Sequence, residues 1–463
     1  MEYSYKDLMQ QTFNFPQEGF DVHNNSLHFH EIPLMDIIKK YGAPLKISYL
    51  PKIKEQIIRA KDYFNTAIKK HNYKGKYQYC YCTKSSHFSF VLEEVLKHNV
   101  HIETSSAFDM PILKALHKKG KLNKDTYIIN NGYKRPDYVK YISEFINDDF
   151  KNVIPVLDNR RELPLLEQAC KKKFKVGIRM ATEEEPKFEF YTSRLGIMPS
   201  TIIDYYKENI QNNDKCELTM LHFFMNTGIR DSTYYWNELT KCINMYCELK
   251  KICPTLNSLD IGGGFPIQTS LNFDYDYQYM ANEIISRILQ ICQEQNVDVP
   301  TIFTEFGNYT VGESGATIYS IIDVKQQNQN ELWYMIDSSF ITTLPDTWGI
   351  KQNFILLAIN NWNNTSQRVN LGGLTCDSDD YYNGETHQNE VFMPVIGEQE
   401  EQYVGFFHTG AYQESIGGYG GIQHCLIPAP KHVIIDKTDD GNFVDYLFSE
   451  EQNHESMLKT LGY

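Results

Sequence analysis

The sequence predicts an α/β protein, a (β/α)8 barrel of the TIM type followed by a C-terminal β domain. Two observations predict it. Between about residue 50 and residue 305, eight short β-rich runs alternate with helical stretches. After about residue 317 the helical signals thin out, and short strands separated by Asn, Gly and Asp clusters take over. On pattern alone, a doubly wound open sheet is the alternative for the first part.

The stretch 51–72 places Ile53, Ile57, Ala60, Phe64 and Ile68 at helical spacing. YQYCYC reads as the first strand, and FSFVLEEVLKH as the helix behind it. HIET (101–104), TYII (126–129), NVIPV (152–156), FKVGIRM (174–180), ELTMLHF (217–223), LNSLDI (256–261) and TIFTE (301–305) complete the eight. Helices are expected over 107–118, 136–146, 160–171, 198–210, 233–251 and 274–294. Beyond them IYSIIDVKQ, ELWYMID, FILLAI, QRVNLGG, YVGFF and HVIID read as strands, and QQNQNE (326–331) as a solvated hairpin tip. LHFHEIP, near the N-terminus, is expected to pair with them. The expected division is 46–317 for the barrel, and 1–45 with 318–463 for a β-sandwich-like domain.

With 463 residues, the chain is long enough for two domains, and 41% hydrophobic with 22% charged residues is a folded composition. A net charge of −14 argues against a nucleic-acid partner, which needs a concentrated basic face. It suits a cationic small molecule, although bulk charge mostly reports solubility. No apolar run approaches membrane-spanning length, and the first residues lack a signal-peptide pattern. Ten cysteines sit without a CxxC pair, as expected of free thiols in a reducing cytoplasm and not of a zinc site.

Barrel active sites gather at the C-terminal ends of the strands. Lys84 follows strand one, Glu103 ends strand two and Arg179 ends strand five. His222 and Phe224 end strand six, Gly262, Gly263 and Gly264 follow strand seven, and Glu305, Gly307 and Asn308 lie at strand eight. A lysine walled by apolar neighbours loses charge by desolvation, as Schiff-base chemistry requires, although a surface lysine in a βα loop is the plainer reading. The glycine run lets backbone N–H groups approach a phosphate, or simply makes a tight turn. A carboxylate at Glu305 can keep a pyridine nitrogen protonated, which makes pyridoxal phosphate (PLP) an electron sink.

On these residues the chain resembles the fold-type III, alanine racemase-like PLP decarboxylases, which include ornithine, diaminopimelate and biosynthetic arginine decarboxylases. The likeness runs over nearly the whole chain. YCTKSSHFSFVLEEVL is similar to the segment of the Schiff-base lysine, Lys84. LDIGGGFP is similar to the phosphate loop, and TEFGNYTV to the segment that sets Glu305 on the pyridine nitrogen. GAYQ places Tyr412 at the phosphate. LTCDSDD resembles the Cys-Asp segment that enters the partner subunit's site, which implies a homodimer with shared active sites and catalytic roles for Cys376 and Asp377. The likeness leaves further pairing of dimers open.

YKGKYQYCYCTK, IINNGYKRPDYVKYI and LPDTWGIKQNF look like the biosynthetic arginine branch, as does Glu103 where ornithine enzymes usually carry Asp. The resemblance implies decarboxylation of L-arginine to agmatine and CO2, a step toward polyamines such as spermidine, with Asp346 and Asp377 facing the guanidinium. Ornithine, lysine, diaminopimelate and carboxynorspermidine are the alternative substrates. A catalytically inactive regulatory binding protein is the alternative of another class. The arginine branch is also associated with magnesium, for which the sequence offers no site.

Four departures stand out. Phe224 takes the place of a ring-stacking histidine, Thr227 that of a phosphate-binding serine, Asn226 that of a glycine and Asn308 that of an arginine. Arg179 is expected at the cofactor's face or phenolic oxygen, or else in an ion pair with Glu103. The acidic run 377–385 lacks the register of a calcium loop.

Overall fold

The computed structural model describes residues 3–183, 192–382 and 390–463. Two compact units divide the chain: Ile53–Pro266 with Tyr275–Thr310, and Met1–Lys52 with Ile267–Asp274 and Val311–Tyr463.

The first unit is a closed barrel of eight parallel strands. They are β1 (Tyr77–Cys82), β2 (His101–Thr104), β3 (Ile128–Asn130), β4 (Val153–Leu157), β5 (Phe174–Arg179), β6 (Cys216–His222), β7 (Ser258–Asp260) and β8 (Thr301–Phe306). Each pairs with its successor, and β8 closes onto β1 with Glu305 beside Cys80. The two-residue period of a strand explains β1. Tyr77 and Tyr79 turn outward, Tyr77 stacking on Phe64 at 4.4 Å and Tyr79 hydrogen-bonding to Thr310 Oγ1 at 2.7 Å. Cys80, from the opposite face, joins Ile129, Ile154, Val156, Met220 and Phe303 in one apolar cluster.

The intervening helices begin where capping chemistry allows. Ser232 Oγ accepts from Tyr235 N at 3.2 Å to open Thr233–Ile252, and Asp276 Oδ1 accepts from Tyr279 N at 2.8 Å to open Tyr277–Glu294. Pro136 opens Pro136–Asn147, where no N–H is needed. The helix expected over 198–210 is a 3-10 turn, Pro199–Thr201, running into Ile202–Asn209. Because every strand feeds its loop to the same end of a parallel barrel, residues distant in sequence converge there.

In the second unit the twelve-residue strand Gly315–Gln326 is the spine of a nine-stranded sheet. It pairs antiparallel with Leu45–Tyr49, Leu332–Ile336 and Tyr403–Phe407. Leu45–Tyr49 also runs parallel to Lys431–Lys437, which draws the start of the chain into the sheet with its end. LHFHEIP forms parts of a separate three-stranded sheet, Phe20–His23, Ser26–Phe29 and Ile32–Pro33. Trp362 anchors the apolar core, edge-on to Tyr5 at 4.9 Å, with its N–H donated to Ala358 O at 2.8 Å. Among the described residues no helix is long and apolar enough to cross a membrane.

Candidate active site

Lys84 lies in the 3-10 turn Thr83–Ser85, immediately after β1. Its Nζ is 3.1 Å from Glu103 Oε2, on a carboxylate with no solvent exposure. Asn131, the first residue past β3, donates from Nδ2 to Glu103 Oε1 at 3.1 Å and to Glu305 Oε1 at 2.6 Å. The other Glu305 oxygen is 3.3 Å from His222 Nε2. Side chains from β1, β2, β3, β6 and β8 thus form one chain: Lys84, Glu103, Asn131, Glu305, His222.

The glycine run abuts this chain. Gly262 N donates to Asp260 Oδ1 at 2.9 Å and Glu305 N to Gly262 O at 2.8 Å. Gly262 and Gly264 have φ of +67° and +105°, which glycine alone adopts easily. Met225–Gly228, the turn after β6, lies against it, with Ile229 N donating to Gly264 O at 3.0 Å. Thr227 Oγ1, in this turn, is buried and has no hydrogen-bond partner among the described residues.

Electrostatics separate the three acids. Burial pushes Glu103 upward and the charge of Glu305 adds to this, while Lys84 opposes it. Burial and the Glu305 charge hold Asp260 well above the ordinary carboxylate range. Burial also works against an anion at Glu305, but His222, Lys84 and the Asn131 amide outweigh it and hold that carboxyl low. Glu305 is the fixed negative charge of the group.

Lys84 differs from the expectation of a walled-in, neutral amine. Its side chain is 45% exposed and its amine faces the Glu103 carboxylate.

Arg179 corrects the other expectation. Its Nη1 is 3.8 Å from Asp158 Oδ1, whereas Glu103 pairs with Lys84 and Asn131, so the ion pair with Glu103 does not form. The guanidinium lies 5.8 Å from the centre of the Phe224 ring. Gly307 has a packing reason of its own, since a Cβ there would meet Ser85 Oγ at 1.9 Å, in the Lys84 turn. Asn308 opens the short helix Asn308–Val311.

The remaining candidates belong to the second unit. Cys376 is exposed, its Sγ 4.0 Å from that of exposed Cys425, and Asp377 Oδ2 is 3.5 Å from His424 Nε2. Asp346 Oδ2 accepts from Gln413 Nε2 at 2.7 Å, and burial raises its pKa. Tyr412, at φ +69°, directly precedes the helix Gln413–Gly417. Residues 383–385 of the acidic run lie outside the described residues. Sequence reasoning missed Asn131 and Asp158 as parts of the site, and placed Asp260 at the end of strand seven without giving it a role. The signal available for the first was its place at a strand end.

His222, Asp260 and Glu305 offer one ligand atom each within 4.8 Å of one another, the metal-ligand grouping found among the described residues. It suits magnesium poorly, because magnesium prefers oxygen ligands with several waters, and here one of the three ligands is an imidazole and all three are buried.

Comparison with known proteins decides the family. The family described as pyridoxal-dependent decarboxylase, pyridoxal binding domain, matches residues 51–312, more than half of the chain. The chain belongs to this family. A biosynthetic arginine decarboxylase of Vibrio vulnificus is 21% identical over 93% of this chain and 86% of its own length. One from Prochlorococcus marinus is 23% identical over 94% and 85%. Among solved structures, the biosynthetic arginine decarboxylase of Campylobacter jejuni superposes with a TM-score of 0.81 at 20% identity, covering 99% of this chain and 90% of that one. A diaminopimelate decarboxylase from M. jannaschii gives 0.80 at 15%, covering 96% and 97%.

As a pyridoxal-dependent decarboxylase the chain requires PLP, and the barrel residues fit it. They include an amine, a fixed carboxylate and a glycine loop with a partnerless hydroxyl beside it. A further buried polar atom, His222 Nδ1, also lacks a hydrogen-bond partner among the described residues. Buried groups left unsatisfied are costly unless a ligand completes them.

Proposed function

We propose that this protein decarboxylates L-arginine to agmatine and CO2, with Lys84 as the residue that holds PLP. The observation that carries the reading is the chain from Lys84 through Glu103 and Asn131 to Glu305, with the glycine loop alongside. Arginine is chosen because relatives that bear the name arginine decarboxylase align over 90% or more of this chain.

When bound, PLP supplies the electron sink that takes up the electron pair left by the departing CO2. Lys84 fastens the cofactor through its amine, and Glu103 accepts the proton that this amine gives up. Glu305, held anionic, keeps a proton on the ring nitrogen. Thr227 and the N–H groups of Gly263 and Gly264 bind the phosphate, joined by Tyr412 and, more weakly than an arginine would, by Asn308, while the N–H of Gly262 stays on Asp260 Oδ1 and its part is to shape the loop. Phe224 covers one face of the ring by apolar contact, and Arg179 backs it from the Asp158 side. Gly307 lets the Lys84 turn pack close.

Asp346 and Asp377 are assigned to the guanidinium, where two carboxylates match its fork of donors. Cys376 delivers the proton to Cα. Both Cys376 and Asp377 act from the partner subunit of a homodimer. The protein is assigned to the cytoplasm and to polyamine biosynthesis.

The test is CO2 release and product analysis on arginine, ornithine, lysine, diaminopimelate and carboxynorspermidine, alongside the visible spectrum. Agmatine from arginine, and a yellow colour that is lost in Lys84→Ala, support the reading. Turnover of another amino acid would reassign the substrate. A colourless protein that takes up no PLP would favour a regulatory binding protein.

A further inference from the structure

Two carboxylates buried side by side repel each other, and one of them then takes up a proton. At this barrel mouth a single neutral side chain bridges Glu103 and Glu305. Asn131 Nδ2 lies 3.1 Å from Glu103 Oε1 and 2.6 Å from Glu305 Oε1, so that one amide nitrogen donates to both acids. Their outer oxygens point elsewhere, Glu103 Oε2 to Lys84 and Glu305 Oε2 to His222.

Few side chains can fill this position. A serine has one proton to give, and an acid would add a third negative charge. A lysine or arginine would neutralise the charge that the ring nitrogen needs. The carboxamide has two N–H bonds on one nitrogen and carries no charge. With an acid on each side, its NH2 end has to face them, which leaves Oδ1 buried without a hydrogen-bond partner among the described residues. That cost is accepted where both donors are in use.

We propose that Asn131 is a positioning residue for this site, whose one amide holds the Glu103 and Glu305 carboxylates at a fixed separation, the first turned to Lys84 and the second to the cofactor's ring nitrogen. The inference rests on the proposed role of Lys84 and Glu305 in holding PLP. The backbone of Asn131 has a separate task, since its N–H donates to Thr104 O at 2.8 Å ahead of Gly132 at φ +72°. A side-chain substitution leaves that intact.

Two substitutions of similar branched shape distinguish the role from mere filling of space. Asn131→Leu removes both donors. Asn131→Asp keeps the shape and puts an acceptor where the donors were. Purified apoprotein of the wild type and both variants is titrated with PLP, and the bound cofactor's visible band is followed against pH without substrate. Thermal unfolding serves as the control for folding.

Asn131→Leu is expected to bind PLP roughly tenfold to a hundredfold more weakly, with the pH midpoint of its band displaced. Asn131→Asp is expected to be worse at neutral pH and to recover on acidification, because a protonated acid can donate to one neighbour. The titratable groups that face this site are Cys82 on β1, Lys84 after it, Glu103 on β2, His222 on β6, Asp260 on β7 and Glu305 on β8. With arginine, kcat falls more than KM changes.

A folded Asn131→Leu protein with wild-type affinity and an unshifted band would overturn the role of Asn131, as would an Asn131→Asp protein indifferent to pH. A wild type that binds no PLP would overturn the reading of the site beneath it.

Discussion

Gly263 stands so close to Glu305 that a Cβ on the glycine would lie 1.9 Å from the Glu305 carbonyl oxygen. The contact is between backbones, so nothing flexible can yield. Gly263→Ala therefore has to push the end of β8 away and take Glu305 with it. The expected loss is about 1–3 kcal/mol of stability. Cofactor affinity should fall in parallel, read by thermal unfolding with and without PLP. An alanine variant as stable and as well loaded as the wild type would refute the contact.

Glu305→Gln keeps the shape and removes the charge. Because the anion is what holds a proton on the ring nitrogen, kcat should fall by roughly a hundredfold to ten-thousandfold while the yellow colour persists. Steady-state kinetics beside an absorption spectrum check both halves.

Asp337 lies in the second unit, where burial pushes its pKa up to about 7 against the ordinary 3.8. Its neutral form suits the fold, so this contribution is complete below pH 3.8 and is lost as pH rises through 7. An amide in its place stays neutral at every pH. Asp337→Asn should therefore match the wild type near pH 4 and exceed it by about 1–3 kcal/mol at pH 8. Unfolding midpoints across that range decide it.

His432 works in the opposite direction along the pH axis. Burial lowers its pKa to about 4, with Lys46 adding to the effect and Glu414 opposing it, and Ser48 Oγ lies 2.9 Å from Nε2. On acidification the unfolded chain takes up this proton first. The contribution is complete above about pH 6.5 and is lost as pH falls toward 4. His432→Gln should flatten the acid limb of the stability curve by up to about 1.4 kcal/mol per pH unit.

Much of the barrel was legible because its strands are short apolar runs between helices, and strand ends are where a barrel puts its chemistry. Lys84, Glu103 and Glu305 could be picked out by that rule alone. Asn131 obeys the same rule, but an asparagine before a glycine reads first as a turn, and its two partners come from strands 28 and 174 positions away in sequence. Asp158 was hidden in the same way, being paired with Arg179 across β4 and β5. Spacing could not reveal that Cys376 lies beside Cys425 or Asp377 beside His424, since those contacts depend on how the loops of the second unit fold back. The half-exposed state of Lys84 was also beyond reach, because apolar neighbours in sequence are not neighbours in space.

The account stands on the amine of Lys84. Borohydride reduction of the PLP-loaded protein, followed by peptide mass mapping, shows which amine carries the cofactor. The predicted result is a phosphopyridoxyl group on the peptide containing Lys84 and on no other. Labelling of a different lysine, or of none, would contradict it.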